Sequence, residues 1–408
     1  MKLCKYPTLL LEELAAKEKS AIKIGPFGSQ LKKTELVDKG IHVLGIENVI
    51  NNIFEGLGER YISEDKFEEL HSFEVKPGDI LITMMGTIGE LAIVPEGTST
   101  SIMDSHLLRF RPNTKLCDRK YISWAIKCSS GVKQSLDKNA RGAIMQGLNS
   151  SIIKSLPIPV PPLDEQKRIA AILDKADAIH RKRQQAVKLA DDFLRATFLD
   201  MFGDPVINPK KWKLKSFGDI AIKFSDGPFG SNLKSSHYVT SGIRVIRLQN
   251  IGAGKFIDDD KAFISEDHFN SLNNHKCEPG DVLIGTLGDP NLRACILPLY
   301  INRALNKADC IQFRPKLDQA TPEYTCSLIN HPGMLTLAFH LMHGQTRTRV
   351  SMGTLRDLLI PVPPILLQQK FANIYRRVNE RFDHHSKTSD KNELLFSSLT
   401  QRAFRGEL

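Results

Sequence analysis

Pro159 to Ala170 reads PVPPLDEQKRIA, and Pro361 to Ala372 reads PVPPILLQQKFA. Both begin on prolines, which donate no backbone hydrogen bond and hold the chain extended, so each marks a stiff boundary. Beyond each boundary the pattern turns helical. From Asp164 to about Asp200 there is no Gly or Pro, and Ile169, Ile172, Leu173, Ala176, Ile179, Ala186, Leu189 and Phe193 recur at three-four spacing. Asp164 and Glu165 fall in the first turn, where the helix dipole favours negative charge. A helix of this span is on the order of 50 Å long. Leu366 to about Phe404 predicts a second one, with Phe371, Ile374, Tyr375, Val378 and Phe382 as its stripe; its polar middle, HHSKTSDKN at His384 to Asn392, predicts fraying or a kink. One apolar stripe on a long helix demands a partner, and the sister helix is the obvious one.

Outward from this pair, the whole chain repeats. A shift of 202 positions lays GPFGSQLK (Gly25 to Lys32) on GPFGSNLK (Gly227 to Lys234), and VLGIENV (Val43 to Val49) on VIRLQNI (Val245 to Ile251). ISEDKF at Ile62 falls on ISEDHF at Ile264, and KPGDILI at Lys76 on EPGDVLI at Glu278; after one extra residue near Asn291, FRP at Phe110 meets FRP at Phe313. So many collinear matches mark a duplication of two long units, not a solenoid of short repeats. Each unit opens with short β-branched runs such as IHVLGI and DILITM, punctuated by Gly, Pro and Asn.

The expected fold is α+β: two duplicated mixed α/β domains separated by two long helices packed as an antiparallel coiled coil, related by a pseudo-twofold. The expected boundaries are 1–156 for the first globular domain, 157–203 for the first helical spacer, 204–358 for the second domain and 359–408 for the second spacer.

Composition narrows the function. At 408 residues with 41% hydrophobic and 25% charged content, the chain can build more than one core. No apolar run reaches the roughly 18 to 20 residues of a membrane span, and the first twenty residues lack the pattern of a secretory signal. The seven cysteines form no C-x-x-C pair, so neither a zinc site nor a disulfide framework is indicated and a reducing cytoplasm suits them. A net charge of +10 favours an anionic partner. Catalytic signatures are missing: no G-x-G-x-x-G, no P-loop, no Asn/Asp-Pro-Pro-aromatic motif of amino-methyltransferases and no Pro-Asp pair opening a nuclease motif. His340 with His343, and His384 with His385, lack a third ligand and read as surface histidines. GTIGE at Gly86 reads as a turn between strands.

PVPPLDEQKRIAAILDKADAIHRKRQQ (Pro159 to Gln185) followed by FLDMFGDP (Phe198 to Pro205) resembles the central region of the specificity subunits of Type I restriction–modification systems; GPFGSNLK and EPGDVLI are also similar to that family's recognition domains. The resemblance covers essentially the whole chain and departs where DEQ at Asp164 becomes LLQ at Leu366. It implies a non-catalytic, prokaryotic cytoplasmic subunit whose two target-recognition domains each read one half of a bipartite, asymmetric site on double-stranded DNA. The helices would set the unread gap and dock two methylation subunits, which bring S-adenosylmethionine and methylate adenine. Restriction subunits using ATP and magnesium would join to cut unmodified DNA. A stand-alone DNA-binding regulator or scaffold with duplicated domains is the alternative; it fits charge and duplication but not the central helix.

The residues expected at the DNA are set by the repeat. Gly28 with Lys32 and Lys33, and Gly230 with Lys234, either bring backbone and charge to a phosphate or simply make a turn that both domains need. Base reading falls where the copies align yet differ: Gly45 and Glu47 against Arg247 and Gln249, expected to alternate along one face of a strand. Arg141, Met145 and Gln146 stand likewise against His343, Arg347 and Thr348, with Arg349 beside them. Arg suits guanine and Gln suits adenine.

Overall fold

A computed structural model describes residues 5–86, 88–140, 149–288, 291–339 and 350–408, with the side chains of 137–140, 231 and 382–394 outside the described set. The chain divides into two compact units, Met1–Arg183 with Lys387–Leu408, and Gln184–Ser386.

Among the described residues both units share one strand plan. In the first, Tyr61–Ile62, Ile41–Leu44, Ser101–Met103 and Glu74–Val75 form one sheet, and Ile22–Ile24, Leu107–Phe110, Ile80–Thr83 and Leu91–Ile93 form another. In the second, Ala262–Ile264, Ile243–Ile246, Ala304–Asn306 and Lys276–Cys277 repeat the first order, with Tyr238–Val239 added at the edge; Ala221–Ser225, Cys310–Pro315, Val282–Gly285 and Arg293–Ile296 repeat the second. The central strands Ile80–Thr83 and Val282–Gly285 are buried at every position, which is why they read as continuous apolar runs rather than alternating ones.

Each second sheet is pinned by a duplicated ion pair. Asp79 of the first PGD accepts from Nε and Nη2 of Arg111, both at 2.7 Å. Asp281 of the second takes Arg314 in the same fork at 2.7 and 2.9 Å. Both carboxylates are 2% exposed, so the fork must satisfy them. The recurrent PGD and FRP strings are the two halves of this bond.

The proline segments are strands as well as boundaries. Pro157–Pro159 pairs antiparallel with Thr8–Leu10, and Leu359–Pro361 with Leu214–Ser216. Prolines leave carbonyls with few local donors, and side chains supply them. Tyr121 donates to the Pro159 carbonyl at 2.8 Å and Tyr324 to that of Pro361 at 2.6 Å. Gln166 donates to the carbonyls of Pro161 (2.9 Å) and Leu116 (3.1 Å) and accepts from the Asp118 N–H (2.9 Å). Gln368 does the same with Pro363 (2.8 Å), Gln319 (2.9 Å) and the Thr321 N–H (3.0 Å). Both glutamines are 0% exposed.

From these joints rise the helices Leu163–Phe202 and Ile365–Arg405, of 40 and 41 residues, each about 60 Å long. Gly203 and Gly406 stop them, with φ of +79° and +76°, the left-handed conformation of a helix C-cap. The second helix continues through His384–Asn392 rather than fraying there; its side chains at 382–394 lie outside the described residues. In the first unit the two helical segments run antiparallel: Arg168 bonds the Leu408 carbonyl, and His180 stacks on Phe396 at 6.3 Å. Ile169, Leu173 and Phe404 enter that unit's core. In the second unit Phe198 and Phe202 of one helix pack on Phe371 of the other at 5.7 and 5.4 Å.

The middle of the expected stripe is corrected. Ile179, Leu189 and Phe193 are 54%, 67% and 53% exposed. The buried face runs through Ile169, Leu173, Leu194, Phe198 and Phe202. By the helical pitch Ile179 is turned about 100° from that face, and Leu189 and Phe193 about 140–180°, to its far side.

Replacing Gln368 with Ala strands one N–H and two carbonyls. We expect a loss of about 1–3 kcal/mol, with amide exchange at Thr321 accelerated and exchange at the equivalent Asp118 unaltered. Unchanged exchange at Thr321 would show that the glutamine does not hold the joint.

Candidate functional site

In each unit four strands deliver their C-terminal ends to one place. Ile22–Ile24 and Ile80–Thr83 are both antiparallel to Leu107–Phe110 and therefore parallel to each other; Ile41–Leu44 and Ser101–Met103 are parallel partners. The four loops beyond these strands interlock. Asp104 donates its N–H to the Leu44 carbonyl and Met84 to that of His106, both at 2.8 Å. The second unit repeats the weave: Lys307 N–H to Ile246 at 2.9 Å, Thr286 N–H to Asp309 at 3.1 Å. There Arg293 also ties two loops, donating to the carbonyls of Leu287 (2.9 Å) and Leu248 (3.0 Å).

The glycines of GPFGS divide into two roles. A Cβ on Gly25 would stand 1.9 Å from the Asp104 carbonyl oxygen, and one on Gly227 2.0 Å from the Lys307 carbonyl carbon. Here only glycine lets two loops touch. Gly28 and Gly230 have open space around them but φ of +49° and +58°, so conformation is what requires glycine there. Phe27 and Phe229, beside them, are 60% and 45% exposed.

Lys32, Lys33 and Lys234 come next on the surface, all exposed. The Lys32 N–H donates to Glu35 at 2.6 Å, and Lys66 closes on the same carboxylate at 2.8 Å; this bond holds the Glu35 carboxyl below its ordinary range. In the second unit His237 Nδ1 accepts the Lys234 N–H at 3.2 Å, and His268 lies 4.2 Å away ring to ring. A histidine pair thus replaces a salt bridge at one position.

Glu47, Arg247 and Gln249 are not on strands. Ile46–Asn48 and Leu248–Asn250 are single 3-10 turns, with Gly45 and Arg247 capping them. The cause is a buried asparagine in each copy. Asn48 accepts from the Gly45 N–H at 2.8 Å and donates to Gly56 at 2.7 Å; Asn250 accepts from the Arg247 N–H at 2.9 Å and donates to Ile257 at 2.9 Å. Such side-chain bonds pull the backbone out of a ladder.

The turns nevertheless carry the expected side chains to the loop cluster, and each finds an ion partner that the sequence reading missed. Glu47 pairs with Arg60 at 2.6 Å, and Arg60 with Asp104 at 2.9 Å. Arg247 pairs with Asp260, whose Oδ2 also accepts from Gln249 at 2.8 Å. The available signal was the register itself, which lays Arg60 on Ala262 and Asp104 on Lys307. Arg141, Met145, Gln146, His343, Arg347, Thr348 and Arg349 lie outside the described residues, as do His340 and the side chains of His384 and His385.

Among the described residues no three or more His, Cys, Asp or Glu are grouped to hold a metal ion, and no helix is long and apolar enough to cross a membrane. Cys117, Cys128, Cys277, Cys295, Cys310 and Cys326 are free. Burial pushes the thiols of Cys117, Cys310 and Cys326 up to about 12, far above the range of a reactive thiolate.

Residues 27–189 match the model of the Type I restriction modification DNA specificity domain. The chain is 25% identical over 403 residues to the Type I restriction enzyme EcoKI specificity subunit of Escherichia coli K12, covering 91% of this chain and 83% of that one. It is 23% identical over 254 residues to the MjaVIII specificity subunit of Methanocaldococcus jannaschii, covering 59% of this chain and 58% of that relative's length. In fold it is similar to the crystal structure of the S subunit of a Type I restriction–modification system from M. genitalium, with a TM-score of 0.61 and 16% identity over 99% of this chain and 97% of that one.

The two glycine roles are separable. Gly227→Ala must push the loops apart, whereas Gly230→Ala costs only the left-handed strain of about 1–2 kcal/mol. Denaturant unfolding should show both losses, but amide exchange at residues 304–309 should accelerate in Gly227→Ala alone. Equal acceleration in both variants would remove the contact role of Gly227.

Proposed function

We propose that this chain, which belongs to the family of Type I restriction–modification specificity subunits, is the DNA-reading component of such a complex. Each recognition domain reads one half of a bipartite, asymmetric target on double-stranded DNA. The observation that carries this is the repeated loop cluster: one scaffold built twice, with the same glycines and turns and different charged side chains at its rim. Constant backbone with variable polar edges is what reading two unlike half-sites requires, because base identity is displayed as donor and acceptor patterns in the major groove. Lys32, Lys33 and Lys234 supply sequence-independent attraction to phosphates.

The long helices hold the readers at a set spacing, stiffer than a flexible linker. Ile179, Leu189 and Phe193, exposed on the first helix, offer an apolar face for methylation subunits. Those subunits bring S-adenosylmethionine and methylate adenine; restriction subunits bring ATP and magnesium chemistry for cleavage. This chain directs both and catalyses neither, in a prokaryotic cytoplasm. A stand-alone regulator would leave that apolar face without a purpose.

Exchange of residues 204–355 for the second domain of another family member tests the division of labour. Methylome sequencing of the host should show one half of the target changed and the other retained; alteration of both halves would refute modular reading.

A four-residue insertion near Gln184 tests the spacing role. It lengthens the helix by about 6 Å and rotates the downstream part of the chain only slightly. With about 3.4 Å per base pair, the unread gap should grow by one or two base pairs while both half-sites persist. An active variant with an unchanged gap would show that the helices do not measure DNA.

A further inference from the structure

The two loop clusters place the same ingredients in opposite order. In the first unit the 3-10 turn carries the carboxylate, Glu47, and the facing loop carries the guanidinium, Arg60. In the second the turn carries the guanidinium, Arg247, with the amide Gln249, and the facing loop carries the carboxylate, Asp260. At the strand end beneath them, the place of Asp104 is taken by Lys307. Since Gly25 and Gly227 seat on the backbones of Asp104 and Lys307, the constant octapeptide buttresses the position where the charge inverts.

The partners in each group are not equivalent. Arg60 touches two carboxylates; the Asp104 side chain is 11% exposed and that of Glu47 is 51% exposed. Asp104 is itself fixed, accepting from the His106 N–H at 2.9 Å. It is a permanent anchor, while Glu47 is exchangeable with solvent or ligand. In the second unit one oxygen of Asp260 holds both Arg247 and Gln249, so two donors leave the turn from a single origin. A guanidinium tied through Nη2 to a fixed carboxylate is limited in rotation, and its remaining N–H groups suit a planar pair of acceptors.

We propose that Arg60, positioned by Asp104, and Arg247, positioned by Asp260, are the residues that each read a guanine, one in each half of the target. This rests on the DNA-reading function proposed above. The O6 and N7 of guanine are the acceptor pair that a guanidinium meets bidentately in the major groove. Glu47, beside Arg60, accepts the N4 amine of the cytosine on the same base pair; Gln249, beside Arg247, is suited to an adjacent adenine. On binding, Arg60 exchanges Glu47 for guanine while keeping Asp104, so its charge never stands unpaired. Asp104 and Asp260 are positioning residues, acting through the arginines.

The full chain, expressed with its own partner subunits, provides the test, with methylome sequencing as readout. Arg60→Ala and Asp104→Asn should relax preference by roughly 10- to 100-fold at one and the same G·C pair, leaving the other half-site intact. Arg247→Ala and Asp260→Asn should do so in the opposite half. Arg60→Lys keeps charge and fold but loses the fork, and should relax the same position; full preference in Arg60→Lys would refute bidentate reading. Uniform loss across all sites would make these arginines phosphate contacts and overturn the assignment, as would variants whose preferences are unchanged. A wild-type chain that specifies a two-part target while the variants leave it untouched defeats this assignment alone. A wild-type chain that specifies no such target defeats the function proposed above and this assignment with it.

Discussion

The joint between each globular domain and its helix is a problem in hydrogen bonding. A proline-rich strand has carbonyls but few N–H groups, and here it is buried against a core, where unpaired carbonyls are costly. A tyrosine and a glutamine answer this in both copies, reaching the Pro159 and Pro161 carbonyls in one and those of Pro361 and Pro363 in the other. Because each glutamine also binds the loop that starts a domain helix, at Asp118 or Thr321, helix, strand and domain share one rigid corner. Through that corner each domain's proline strand, the helix capped by Asp118 or Thr321 and the start of its long helix are tied at one point, so a shift of the long helix is felt in the domain.

Above the corners, backbone and side chains divide the work. The glycine seats, the asparagine turns and the Asp–Arg forks recur in both units, so the loops spring from the same frame. What differs is charge: Glu47, Arg60 and Asp104 against Arg247, Asp260 and Lys307. A rim that changes sign on a constant frame is able to acquire new targets without refolding, because rim substitutions leave the core bonds intact.

Much of this was legible in the sequence because duplication makes a chain its own reference. The two long helices, their proline boundaries and the equivalence of the domains emerge from register and period. What escaped is tertiary. VLGIENV reads as a strand by its β-branched residues, yet Asn48 bends it into a turn by bonding Gly45 and Gly56; the asparagine was visible, its burial was not. Of the predicted stripe the core takes Ile169 and Leu173 but leaves Ile179, Leu189 and Phe193 exposed, because three-four spacing alone lets a stripe wander around a helix of this length. Arg60 and Asp104 lie far from Glu47 in sequence, so only the folded chain shows them as one group.

The first compact unit is assembled from two remote segments, Met1–Arg183 and Lys387–Leu408. Its core includes Ala403 and Phe404, synthesised about two hundred residues after the rest of that unit is complete. During synthesis the first domain therefore waits, its apolar surface at Tyr121 and Trp124 without the Phe404 and Phe396 that pack on it, until the second long helix is made. Contacts so distant in sequence slow folding and leave sticky intermediates. The chain thus couples the maturity of its first domain to the synthesis of its second long helix, and a product truncated before that helix would lack a finished first core.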